Sequence, residues 1–265
     1  MKKRLPGVYP ATKKDGTPYY RASLTCNGKH ISLGSFSSEE TAHEAYRDAC
    51  SLLHTDHFSI DDYKKASTSL SFEKWVCLIN LRDNKLYFHT PIYLRPKFFY
   101  YYLSQTDILK FDSDDLFYYA SHKIMKRNGH LFVSDYGMQV NIMSRYGIKN
   151  YAVEGRDYLF INGDPFDFRY ENIEIINRFH GVTRLKQDGS YLYRTQIHIN
   201  GYFLVGIYQT ETEAAIAYNK AIDQLKNAGV SKQYVPNYID SLSPSAYADI
   251  YASLSISSKI KDYIP

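Results

Sequence analysis

Two distant parts of the chain share the same order of apolar and polar positions. Apolar and polar residues alternate in YRASLT at 20–25 and in YRTQIH at 193–198. An alternation with a period of two predicts a strand with one buried side and one open side. An Asn-Gly pair follows each run, at 27–28 and at 200–201, and this dipeptide is typical of tight hairpin turns. Each part therefore predicts an antiparallel hairpin.

After each hairpin the period changes from two to that of a helix. Ser37 and Glu40 have the spacing of a capping box at a helix N-terminus. Thr210 and Glu213 have the same spacing in the second part. The apolar positions that follow are Ala42, Ala45, Tyr46, Ala49 and Leu53 in the first part, and Ala214, Ala217, Tyr218, Ala221 and Leu225 in the second. A small alanine face lets a helix pack closely on a sheet, so each part predicts a three-stranded antiparallel sheet with one helix across its back.

The two parts align as an internal repeat. DGTPYYRASLTCNG at 15–28 matches DGSYLYRTQIHING at 188–201, which brings Arg21 into register with Arg194. We therefore predict an α+β protein in which two such modules flank a middle α+β domain. The predicted domains are a first module at 1–56, a middle segment at 57–177, a second module at 178–232 and a C-terminal helical tail at 233–265.

The tail predicts one further helix. Gly229 is typical of the end of the second module's helix, and Ser243 with Pro244 is typical of a cap and first turn. The apolar stripe of the new helix comprises Tyr247, Ile250, Tyr251 and Leu254. We expect this stripe to pack on a core; a contact between two copies in a homodimer is the alternative.

Positive charge is concentrated around the repeats. The net charge of the 265 residues is only +4, but the first thirty residues carry seven lysines and arginines against a single acid, Asp15. This distribution favours a polyanion contacted by the repeats. Lysines that only keep a surface soluble are the alternative.

Cysteine usage and hydropathy narrow the class of protein. Three cysteines without metal-ligand spacing predict neither a disulfide framework nor a zinc site. The chain has no apolar run of membrane-spanning length, and its basic N-terminus lacks the apolar stretch of a signal peptide. We expect a cytoplasmic protein with no membrane partner. The 27 tyrosines include KFFYYYL at 97–103, a run that could stack on unpaired bases but is more typical of half-buried structure.

The first repeat carries a longer motif. GVYP followed by YYRASLTCNGKHISLGSFSSEETAHEAYRDA, within residues 7–49, resembles the Apetala/ethylene-response-factor DNA-binding domain of plants and its bacterial and phage relatives. The second repeat resembles it less closely over the same length. The chain departs from the family pattern in having Tyr20 and Tyr193 in place of tryptophan, and in replacing several arginines. We therefore expect a target sequence different from the family's.

The resemblance implies that the exposed sheet faces bind the major groove of double-stranded DNA. The face residues it implicates are Arg21, Ser23, Thr25, His30 and Ser32 in the first module, and Arg194, Gln196, His198 and Tyr202 in the second. Neighbouring residues complete the predicted interface, namely Tyr9, Lys13, Lys14, Lys29, Arg184 and Lys186. Because the polar faces differ, we expect two different half-sites.

The middle segment resembles an HNH homing-endonuclease domain over about 111–177. INGDPFDFRYENI at 161–173 keeps the frame of that family. Leu159 and Phe160 stand where the family has Asp-His, and Asn141 stands where it has an upstream histidine. Only Asn172 of the metal-binding set is kept. Without a general base and a bound cation, phosphodiester hydrolysis loses water activation and charge neutralisation.

We therefore predict a catalytically inactive HNH-like domain with no catalytic residue, no metal ligand and no cofactor. His122 and His130 lie in the same segment, but we expect both to be surface or structural residues. The protein is then expected to be a transcriptional regulator, bacterial or phage-encoded, derived from a mobile-element homing endonuclease and associated with the nucleoid through DNA. The alternatives are an active metal-dependent HNH nickase, and a protein that binds single-stranded nucleic acid or RNA.

Overall fold

The computed structural model describes residues 4–265, so Lys2 and Lys3 of the basic N-terminus lie outside it. The described chain is α+β, with helices and five small antiparallel sheets. It divides into two compact units, Met1–Ile142 with Asp164–Asn172, and Met143–Gly163 with Ile173–Pro265. The general α+β class is confirmed. The predicted middle segment, 57–177, contributes residues to both units.

The first module lies in the first unit. Its strands are β1 (Val8–Thr12), β2 (Pro18–Cys26) and β3 (Lys29–Phe36), in the order β1-β2-β3, and its helix is α1 (Glu39–His54). Asn27 and Gly28 both have positive φ, 49° and 73°, and form a two-residue hairpin turn. That conformation is favoured by Asn-Gly because both positions must tolerate the left-handed region. The predicted tight turn and sheet-plus-helix arrangement are confirmed here.

The start of α1 differs from the prediction by one residue. Ser38 has extended backbone angles and its side chain accepts a hydrogen bond from the Thr41 amide at 3.1 Å. The predicted cap, Ser37 with Glu40, is therefore wrong, because the chain turns into the helix one residue later. The buried side of α1 consists of Ala42, Ala45, Ala49 and Leu52 rather than Leu53.

The rest of the first unit contains one long helix and two further three-stranded sheets. Helix α2 (Phe72–Asn84) packs on α1, so the first hydrophobic core extends beyond residue 56. The remaining elements are β4 (Ile92–Leu94), β5 (Phe98–Tyr102), β6 (Ile108–Asp112), α3 (Leu116–Ser121), β7 (Ile124–Arg127), β8 (His130–Asp135) and β9 (Met138–Asn141). The tyrosine run forms the central strand β5, where Phe99 and Tyr101 are buried. These rings therefore serve the core.

The second unit contains the second module. A short ribbon pairs β10 (Tyr158–Phe160) with β11 (Ile173–Ile175). The module consists of β12 (Val182–Gln187), β13 (Ser190–His198), β14 (Tyr202–Tyr208) and α4 (Glu211–Asn227). Thr210 and Glu213 form the predicted capping box, with both reciprocal hydrogen bonds present. Gly229, at φ 91°, follows the end of α4 as predicted.

The second hairpin is not the tight turn that Asn200-Gly201 predicts. His198 pairs with Tyr202, so three residues make the connection, and neither Asn200 nor Gly201 has positive φ. The Ile199 amide instead donates to the Gly201 carbonyl at 2.9 Å. The prediction fails because the turn type depends on loop length as well as on the dipeptide.

The tail packs on the second module, as predicted. Helix α5 (Pro244–Ser253) is capped by Ser243, and α6 (Ser258–Lys261) follows it. The α5 stripe lies against the second core, to which Ile256 and Ile260 also belong. Asn219 on α4 exchanges hydrogen bonds with the Asn237 backbone at 2.7–2.8 Å. Among the described helices, none combines the length and the hydropathy needed to cross a membrane.

Candidate nucleic-acid interface

Most of the residues predicted to bind DNA in the first module lie on the open side of its sheet, the side that helix α1 does not cover. Tyr9 lies directly across from Arg21 on the neighbouring strand, and Thr25 lies across from His30. Helix α1 covers the opposite side, against Ala22 and Leu24. A groove of about 340 Å³ opens on the uncovered side. Its lining residues are Tyr9, Arg21, Ala22, Ser23, His30 and Ser32.

Ser23 lies at the bottom of this groove rather than on an exposed surface. Its relative exposure is only 6%, and its partner across the sheet is Ser32. The pairing register shifts between Ala22 and Ser23, because β3 contains one extra residue, Leu33, at this point. Such a bulge bends and twists the sheet locally. The expectation that Ser23 is exposed on this face is therefore wrong, whereas Arg21, Thr25, His30 and Ser32 are exposed.

The three lysines of the first module that the sequence analysis selects, Lys13, Lys14 and Lys29, lie at the turns of its sheet. Lys13 and Lys14 occupy the turn between β1 and β2, and both are exposed. The Asp15 carboxylate in this turn accepts a hydrogen bond from the Thr17 amide at 3.0 Å, which lowers the pKa of Asp15. Lys29 follows the tight hairpin and shares the helix side of β3 with Ile31. These lysines therefore lie outside the groove that Arg21, Ser23 and Ser32 line.

The second sheet has the same construction. Its register also shifts, between Thr195 and Gln196, around one extra residue, Val205, in β14. Arg194 lies across from Thr183 and from Ile207, as Arg21 lies across from Tyr9 and Ser35. The open side further contains Gln196, His198 and Tyr202. The structural repeat therefore includes the bulge and the pairing register around the arginine, although the residues across from it differ.

The open side of the second sheet is more apolar than the sequence analysis anticipates. Leu204 is 45% exposed, Ile207 is 53% exposed and Tyr202 is 78% exposed. Leu204 lies across from Gln196, and Ile207 lies across from Arg194. The side on which a residue of β14 lies after Val205 depends on the bulge. Leu204 shares the open side with Tyr202 by alternation, whereas a register drawn without the bulge assigns Ile207 to the buried side.

Two predicted contacts of the second module lie on the helix side of the sheet. Arg184 and Lys186 alternate with Thr183 and share their side with the buried Val182. The Arg184 guanidinium lies 4.7 Å from the centroid of the Tyr191 ring, a cation–π contact. These two residues therefore do not belong to the open face.

Arg194 is half-buried in the middle of the open face. Its Nε is buried and has no hydrogen-bond acceptor in the part of the chain that the structure describes. A buried donor without an acceptor costs about 1–3 kcal/mol. At the end of the same face, the Lys232 ammonium lies 2.9 Å from His198 Nδ1 and donates to the His198 carbonyl at 2.9 Å. Lys232 thereby adds a cation that the sequence analysis did not select.

The HNH-like residues of the second unit lie in the β10–β11 ribbon. Leu159 pairs with Glu174, and Phe160 pairs with Ile173 and is 6% exposed. Just before them, the buried Asp157 accepts from Lys149 at 3.0 Å and from Arg156 at 2.6 Å. Burial opposes ionisation of Asp157, but these hydrogen bonds outweigh it and lower its pKa. These ion pairs stabilise the chain at the start of the β10–β11 ribbon.

The HNH-like residues of the first unit form a separate polar cluster. The Arg169 guanidinium donates to Asp167 at 2.7 Å, and Lys110 lies 3.7 Å from the same carboxylate. Burial opposes ionisation of Asp167, but the hydrogen bonds from Arg169 and the charge of Lys110 lower its pKa. Asn172 donates to the Asp167 carbonyl at 2.8 Å. Asp167, Arg169 and Asn172 therefore make hydrogen bonds with one another within the chain.

The two histidines of the HNH-like stretch at 111–177, His122 and His130, have no metal-like surroundings among the described residues. His122 stacks on Tyr118 with ring centroids 4.2 Å apart and lies 3.6 Å from Asp135, whereas His130 is exposed at a turn. Among residues 4–265, no group of three or more His, Cys, Asp and Glu side chains is placed to hold a metal ion.

Comparison with protein-family models, with curated proteins and with solved structures finds no match to this chain. The two family resemblances therefore stay predictions.

Proposed function

We propose that this protein binds double-stranded DNA sequence-specifically, with the open faces of the two sheet modules in the major groove. We propose further that it acts as a transcriptional regulator derived from a mobile-element homing endonuclease. The two modules would read two half-sites of one operator.

The observation that carries the proposal is the composition of the six module strands. None of these strands, all within the described residues, contains an aspartate or glutamate. Each open face has one arginine in the same register, Arg21 or Arg194, on the central strand. A face with cations and hydroxyl donors but without acids complements a polyanion.

The shape of the modules supports the choice of DNA. The major groove is about 12 Å wide and admits a β-ribbon, and arginine is the commonest reader of guanine there. In each module the helix covers the other side of the sheet, so the arginine face is the side that a groove can accept. The exposed Lys13 and Lys14 at the end of the first sheet could contact phosphates of the same duplex.

The proposal assigns no hydrolysis to the HNH-like segment. Leu159 and Phe160 can neither bind a cation nor accept a proton from water. We therefore expect the segment to contribute to the spacing or the positioning of the two modules.

The test combines binding and cleavage assays on the purified protein. Binding to a duplex selected from random sequence should exceed binding to either of its single strands, and EDTA should leave the affinity unchanged. Neither magnesium nor manganese should produce nicks. Arg21→Ala should weaken binding, whereas Arg47→Ala, the same charge change on the exposed side of α1, should leave it unaltered. Preference for single strands would overturn the proposal, and EDTA-sensitive nicks would identify the nickase instead.

A further inference from the structure

The open faces of the two modules differ at two equivalent positions. On the third strand of the first module, Ser32 lies across from Ser23, and Ser35 lies across from Arg21. The equivalent positions of the second module are Leu204, across from Gln196, and Ile207, across from Arg194. Two hydroxyl groups are thus replaced by two branched aliphatic side chains, each about half exposed.

Cations flank these apolar side chains. Ile207 is next to Arg194 across the sheet, and Lys232 lies at the His198–Tyr202 end of the same face. The face has no acid on its strands, so an acidic partner is favoured. The exposed apolar side chains of this face are Tyr202, Leu204 and Ile207. A stable protein–protein interface uses about 20–30 residues on each side, so these three side chains are too few to favour one.

One chemical group on the base edges of the major groove matches an aliphatic side chain. This group is the C5-methyl of thymine, which makes apolar contacts with protein side chains. We propose that the second module reads a thymine-containing half-site, with Leu204 and Ile207 against thymine methyl groups, and that the first module does not. The inference rests on the proposed function and assigns the base specificity of one of its two faces.

The register also predicts the neighbour of the thymine. Cross-strand partners in a sheet have Cβ atoms about 4.5–5.5 Å apart, which lies between one and two base-pair steps of about 3.4 Å. Arg194 and Ile207 are such partners, and arginine most commonly reads guanine. A thymine one or two base pairs from a guanine is therefore expected in the second half-site.

The test replaces thymine by deoxyuridine, one position at a time, in a duplex site selected with the wild-type protein. Deoxyuridine keeps the hydrogen-bonding groups and removes only the methyl group. Wild-type binding should weaken about fourfold for each methyl group that Leu204 or Ile207 contacts. Positions in the other half-site should be insensitive.

The first module supplies the matched variant. Leu204→Ser with Ile207→Ser installs the residues that the first face carries at these positions, and both sites are exposed enough to leave the fold intact, which thermal unfolding checks. This double variant should bind the thymine and deoxyuridine sites equally. Gln209→Ser, an exposed change beyond the sheet, should keep the wild-type discrimination.

The outcomes separate this inference from the proposed function. Duplex binding with no thymine sensitive to deoxyuridine overturns the thymine contact and leaves the proposed function standing. Absence of binding to any duplex overturns both. If the double variant dissociates a dimer while keeping the discrimination, Leu204 and Ile207 contact protein, and the inference is wrong.

Discussion

The two modules have one scaffold and two different faces. Both have a Gly before the first strand, a central strand with an arginine, a bulge at the same place in the third strand, and an alanine face on the helix. They differ in the residues that point away from the helix, polar in the first module and partly aliphatic in the second. Core packing constrains the scaffold, whereas the open face is free to diverge. The divergence is therefore where a difference in specificity should be found.

The largest expected effect concerns the glycine before each first strand. Gly181 has φ 72°, and an added Cβ would lie 2.5 Å from the Gln196 carbonyl oxygen and would overlap the Tyr218 ring. Gly7 has φ 73°, and the three atoms nearest to an added Cβ all belong to the Tyr46 ring, within 2.7 Å; this ring is half-buried, whereas the Tyr218 ring is only 9% exposed. Backbone strain and overpacking each cost about 1–3 kcal/mol.

We therefore expect Gly181→Ala to lower the free energy of unfolding by about 3–5 kcal/mol and Gly7→Ala by about 1–3 kcal/mol. Chemical denaturation of both variants measures the difference. Gly16→Ala, also at positive φ but with open space around it, is the control for strain alone. Equal losses for Gly181 and Gly7 would mean that the two modules tolerate strain alike.

The next effect concerns the two arginines. Arg21→Ala and Arg194→Ala each remove the long donor from one open face. If each arginine contacts a base edge, each variant should lose about 1–3 kcal/mol of binding free energy and relax preference in one half-site only. Repeating the site selection with each variant measures this. Uniform weakening on all sequences would make them phosphate contacts, and no change would mean that the other side of the sheet faces DNA.

A smaller effect on the salt dependence of binding distinguishes the basic residues beside the two open faces. Lys13 and Lys14 are exposed in a turn, whereas Arg184 lies over the Tyr191 ring on the helix side with Lys186. Replacing both lysines of the turn by glutamine should reduce the slope of log affinity against log salt by about two. The same change at Arg184 and Lys186 should reduce it less. Binding titrations at several salt concentrations measure both slopes, and equal reductions would contradict the difference.

The smallest effect is a dependence on pH that belongs to the second module. His180 stands where the first module has Pro6. Burial, and then the charge of Lys149, lower the pKa of His180 below its ordinary value. A lowered pKa favours the neutral form in the folded state, so its stabilisation is complete above about pH 6.5 and declines as the pH falls from there towards the lowered value.

Unfolding of the wild type should therefore require less denaturant at pH 5.5 than at pH 7.5, and His180→Gln should remove part of this difference. We expect that part to be the smallest of these effects. An unchanged pH difference in the variant would assign the dependence to other groups.

The sequence predicts the scaffold well because the scaffold follows from periodicity. The alternation at 20–25 and 193–198, the alanine spacing of both helices and the capping box at Thr210 are local patterns, and the structure confirms each of them. The stripe of α5 is also local, and it packs on the second core as expected. These patterns need no knowledge of which strands pair.

What the sequence misses depends on pairing between strands. The bulges at Leu33 and Val205 shift the pairing of the third strands by one residue, which places Ser35 and Ile207 on the open faces, across from Arg21 and Arg194. The second hairpin turn is also one residue longer than predicted, because His198 rather than Ile199 pairs with Tyr202. Alternation along one strand cannot reveal an extra residue on its neighbour. The open faces, where function is proposed, were therefore the least predictable part of each module.

The most direct test of the account is selection of bound sites from random duplex DNA with the wild-type protein, without added metal. The account predicts enrichment of two different half-sites at a fixed spacing, of which Arg21→Ala relaxes one and Arg194→Ala the other. Two identical half-sites would contradict the proposed difference between the faces. No enrichment over the starting pool would contradict sequence-specific binding itself.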